Sequence, residues 1–76
     1  SLADLKPDSD AAVNALAASL TDSESRVRAG AAFALGELGA RADSAVDALK
    51  LAVEDGSGEV RDSARSAVQQ IEAAIR

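Results

Sequence analysis

Apolar residues recur at helical spacing along the chain. Val13, Leu16 and Leu20 share one stripe, and Val46, Leu49 and Val53 share another. The pattern predicts four helices: about Asp8 to Leu20, Glu24 to Leu38, Ala42 to Glu54 and Gly58 to Ile75. Pro7 suits a first helical turn, where its missing N–H leaves no bond unmade. Asp22-Ser23 ends the first helix, and Gly39 is a suitable residue just past the end of the second. Gly56-Ser57-Gly58 reads as a turn, with Ser57 a good N-cap. Short links between such helices demand antiparallel neighbours, so the unit is a helical hairpin made twice.

A shift of 33 residues lays the chain on itself. Val13 falls on Val46, Leu16 on Leu49, Asp22 on Asp55, Val27 on Val60 and Arg28 on Arg61. Leu20/Val53, Leu35/Val68 and Leu38/Ile71 are conservative apolar matches. Residues 1–10 fit the same frame against residues 34–43, so they read as the end of a preceding repeat. The domain 1–76 then comprises that end, one repeat over 11–43 and a second over 44–76.

The stretch VRAGAAFALGELGARADSAVDAL resembles the short HEAT-like repeat of the phycobilisome-lyase type. Val27, Arg28, Ala31, Ala32, Ala34, Leu35, Gly36, Leu38 and Gly39 carry the likeness, followed by Ala45, Val46, Ala48 and Leu49. The second copy departs from the pattern at Arg65, Gln69 and Glu72, which marks its last helix as an end helix. The Trp and Tyr positions of tetratricopeptide repeats are empty, and the ankyrin signature is absent. The resemblance implies an all-α fold, a right-handed superhelical α-solenoid of antiparallel helix pairs with the second helices on the concave side. It also implies a structural ladder between repeats at Asp22, Arg28, Asp55 and Arg61. An arginine in such a place can satisfy carbonyls or grip a carboxylate through two N–H groups.

Composition agrees with helices. Alanine supplies 19 of 76 residues and the chain's one aromatic is Phe33, so sheet formers are scarce. With no Cys and no His there is no disulfide, no catalytic triad and no usual zinc site. No cofactor or metal is expected, nor an enzyme. Glu37 lacks a second carboxylate on an evident scaffold, and Asp8 and Asp10 suit a helix N-terminus. Eight Lys+Arg against 13 Asp+Glu give a net charge of −5, which opposes nucleic-acid binding. No stretch is apolar enough to span a membrane, and no signal peptide is visible, so a cytoplasmic setting is the expectation.

The second helix, drawn as a wheel, puts Val27, Ala31, Ala34, Leu35 and Leu38 on one side. Arg26, Ala29, Gly30, Phe33 and Glu37 lie opposite. The matching stripe on the last helix is Glu59, Asp62, Ser63, Ser66, Gln70 and Ala73. Phe33 is either an interaction anchor or a residue packed against the adjoining helix. The two stripes together form a ridge suited to a basic or neutral protein or peptide partner. The function expected is a non-catalytic interaction or scaffold module. The rival is a piece of a phycobilin-lyase-like, chromophore-handling protein, which absorbance shifts with a bilin would reveal. Leu2, Leu5, Val68, Ile71 and Ile75 are expected to show at the end faces, with homo-oligomers forming by end-to-end stacking of repeats.

Overall fold

The computed structural model describes residues 7–75, with side chains from residue 11 onward. Its elements are α1 (Pro7–Ser19), α2 (Ser25–Leu38), a 3-10 segment (Gly39–Ala45), α3 (Val46–Ala52) and α4 (Gly58–Ile75). The fold is all-α, and no strand occurs among the described residues. No described helix is long and apolar enough to cross a membrane. The Cα atoms extend 41 × 29 × 16 Å, and the thin dimension suits two layers of helices about 8–10 Å apart.

Local chemistry sets the boundaries. Pro7 opens α1 as expected. At the other end of α1, Ser19 Oγ donates to the Ala15 carbonyl, and the Ala18 carbonyl accepts both the N–H and Oγ1 of Thr21. The two hairpin turns share one device. Asp22 Oδ1 accepts the Glu24 N–H at 2.9 Å, and Asp55 Oδ1 accepts the Ser57 N–H at 2.8 Å. Each aspartate thereby holds the chain in the bend that starts the next helix. Gly39 has φ +61°, the one positive φ among the described residues, and its N–H returns to the Gly36 carbonyl. A side chain there would be strained, so the glycine fixes where α2 stops.

The third helix differs from its expected span of Ala42 to Glu54. Residues Gly39–Ala45 wind as a 3-10 segment, Ala42 leaves helical geometry at φ −94°, ψ 17°, and α3 covers only Val46–Ala52. The tighter coil has a packing cause: it places Ala42 and Ala45, 0% and 1% exposed, in the core beside α4.

Leu35, Leu49, Val60 and Ile71 are the largest fully buried side chains. Alanines fill the space between them, which lets the helices approach closely. Val13, Leu20, Val46 and Leu49 point inward as the stripes require. Three expectations need correction. Val27 is exposed and Leu38 only half-buried against the core, although Ala31 and Leu35 on the same side of α2 are buried. Ala29 is buried, because α4 covers α2 on a side that a wheel drawn for one hairpin treats as open. Ile71 is fully buried, since it faces the first hairpin and not an end of the molecule. Val68 is half-buried and Ile75 exposed, whereas Leu2 and Leu5 lie outside the described residues.

Candidate functional site

Between α2 and α4 the surface opens into a groove of about 230 Å³ lined by Phe33, Asp62, Ser63, Ser66, Ala67 and Gln70. Phe33 stands on one wall and is 61% exposed. Small residues, Ser63, Ser66 and Ala67, line much of the rest. Across the groove, Ser63 and Ser66 take the places in the second repeat that Gly30 and Phe33 take in the first.

The floor is set by a close approach at Gly36. An added Cβ there would lie 2.9 Å from Ala67 Cα and 2.5 Å from Gln70 Oε1. The missing side chain thus draws α4 against α2 and brings Ala67 and Gln70 to the groove. Asp62 puts a carboxylate on its rim.

The groove therefore unites five residues of the expected ridge: Phe33, Asp62, Ser63, Ser66 and Gln70. Arg26, Gly30, Glu37 and Glu59 are exposed but do not line it. Ala29 drops out, being 4% exposed beneath α4. Of the lining residues only Ala67 was not singled out from the sequence.

The four polar residues at the repeat junction form a separate strip. Arg28 donates from Nε to Asp55 Oδ2 at 2.8 Å and from Nη2 to Asp55 Oδ1 at 3.1 Å. Its Nη1 donates to the Asp22 carbonyl at 2.7 Å, and Arg61 Nη1 donates to the Asp55 carbonyl at 2.8 Å. The Arg28 guanidinium, followed by the Ser57 N–H, holds the Asp55 carboxyl below the usual carboxylate range. These groups are engaged with one another and lie outside the groove's lining.

A family model of HEAT repeats matches residues 1–69 of the chain. Searches of curated proteins and of solved structures found no significant match.

Proposed function

Because the chain belongs to the HEAT-repeat family, whose members generally mediate protein–protein contacts or scaffolding, we propose that it binds an extended segment of a partner protein in the groove between α2 and α4. The observation that carries this reading is Phe33, a large aromatic left 61% exposed beside a hollow in a chain otherwise short of large side chains. Buried aromatic anchors dominate binding energy at interfaces, and an aromatic already held at a groove loses little side-chain freedom on binding. The rim supports a choice of partner. Asp62, with Glu59 and Glu37 exposed nearby on the same two helices, favours a segment that carries Lys or Arg beside an apolar residue. The family is typically a non-catalytic scaffold. The groove's volume falls below the roughly 300–1,000 Å³ of enclosed small-molecule sites, which supports a peptide occupant over a chromophore.

Panning the chain against a random peptide display library tests the reading. Enriched sequences should pair an apolar residue with a basic one, and Phe33→Ala should weaken their binding at least tenfold, about 1.4 kcal/mol. Peptides that bind the Phe33→Ala chain equally well would place the interaction elsewhere.

A further inference from the structure

Residues 33 apart hold equivalent places in the two hairpins, so the chain contains its own comparison between a covered repeat face and an uncovered one. The side of α2 that meets α4 carries Ala29, Ala32 and Gly36, all buried. Their equivalents on α4 are Asp62, Arg65 and Gln69, all exposed. The substitutions concern shape as well as polarity. The joint between α2 and α4 needs Gly36, because even one added carbon would stand 2.9 Å from Ala67 Cα. Gln69 puts a long side chain at the same place on α4. Arg65 and Asp62 put charges where the observed joint has alanines, and burying unpaired charges there is strongly unfavourable. The turn is changed too. Gly39, whose positive φ ends α2, is matched by Glu72, which continues in α4 and reaches toward Lys50 at 3.6 Å.

The opposite face keeps the features of an accepting surface. Val27 is 41% exposed and its equivalent Val60, covered by the first hairpin, is 0% exposed. Leu38 is half-buried and its equivalent Ile71 is fully buried. Asp22 is exposed and is bent by the same turn that aims Asp55 at Arg28.

We infer that stacking on this protein has a polarity: the α1–α2 face accepts a further helical hairpin of the same repeat type, and the outer face of α4 refuses one. The accepted hairpin presents small residues at the places of Ala29, Ala32 and Gly36, and an arginine at the place of Arg28 that pairs with Asp22. Head-to-tail stacking of a second copy in this register is ruled out by the same features, since it would bring the α4 face into the joint. Asp62 belongs both to this face and to the rim of the Phe33 groove, but the inference does not depend on that groove binding a partner.

Two lengthened chains test the polarity. One duplicates residues 11–43 in place, giving 1–43 followed by 11–76. The other appends a copy of residues 11–43 after Arg76. Thermal unfolding and amide hydrogen exchange read whether the added hairpin is docked. The first chain should melt in a single transition above the parent's Tm, and Asp22→Ala in the downstream copy should reduce that rise. In the second chain the Tm should stay at the parent's value and the added amides should exchange fast. Asp62→Ala, Arg65→Ala, Gln69→Gly and Glu72→Gly together should then dock it. Equal Tm rises from the two additions would overturn the inference. So would no rise from the first addition, or failure of the four changes to dock the second.

Discussion

Alanine in place of glycine should have opposite effects at two positions of α2. Within a helix, Gly→Ala gains about 0.5–1 kcal/mol through reduced chain entropy in the unfolded state. At Gly30 that gain is unopposed, because nothing lies within 4 Å of the new Cβ. At Gly36 the new Cβ meets Gln70 Oε1 at 2.5 Å, Ala67 Cα at 2.9 Å and Ala67 Cβ at 3.1 Å. Gln70 is exposed and can swing aside. Ala67 Cα cannot move without α4, which is anchored by Val60, Ala64 and Ile71, each fully buried. Overpacking of this kind costs about 1–3 kcal/mol. Gly36 also lies in the last turn of α2, so its propensity gain is at the low end. The net expectation is about 1–2 kcal/mol of lost stability at Gly36 and about 0.5–1 gained at Gly30. For a domain of this size each kcal/mol moves Tm by about 4–8 °C. Thermal melts of the two variants, followed by helical circular dichroism, therefore separate them easily. If Gly36→Ala raised Tm as Gly30→Ala does, the close approach of α2 and α4 would be refuted.

Two further predictions concern the core and the junction. Leu49→Ala should cost about 2–5 kcal/mol in urea denaturation, because Leu49 is fully buried, while Leu51→Ala, two residues along α3 and 78% exposed, should stay within about 0.5 kcal/mol. Asp55, whose folded pKa lies below its unfolded value, should add stability that is complete above the usual carboxylate pKa of about 3.9 and disappears as pH falls through the folded value. Asp55→Asn should flatten that acid limb in a series of melts from neutral pH downward, and an unchanged limb would count against the Arg28–Asp55 pair as its source.

The four helices were legible because their signals are local. Pro7, Gly39 and the Gly56-Ser57-Gly58 turn each act on a few neighbouring residues, and α4 has the expected bounds of Gly58–Ile75. The 3-10 segment was not legible. Residues 39–45 carry no sign of a tighter coil, which is imposed by burial of Ala42 and Ala45. The same division holds at the groove. The place of Phe33 opposite the hairpin core was legible, but its exposure and the burial of Ala29 both depended on how α4 crosses α2.

That last case bears on how repeat sequences are read. In a stacked array one side of each helix meets its own hairpin and others meet the repeats before and after. A wheel scored by hydrophobicity within one helix cannot separate these. It misplaced Val27 and Ala29 in opposite directions, although both residues are small and apolar. Comparison between equivalent positions does separate them. Val27 and Val60 are the same residue at the same register, so their difference in exposure, 41% against 0%, reports only whether a neighbouring repeat is present. Where the residue changes as well, from Ala32 to Arg65 or Gly36 to Gln69, the face of α4 lacks the small residues that the joint between α2 and α4 uses. The departures of the second copy at Arg65, Gln69 and Glu72 thus fall at the equivalents of the α2 joint and of the turn that ends α2.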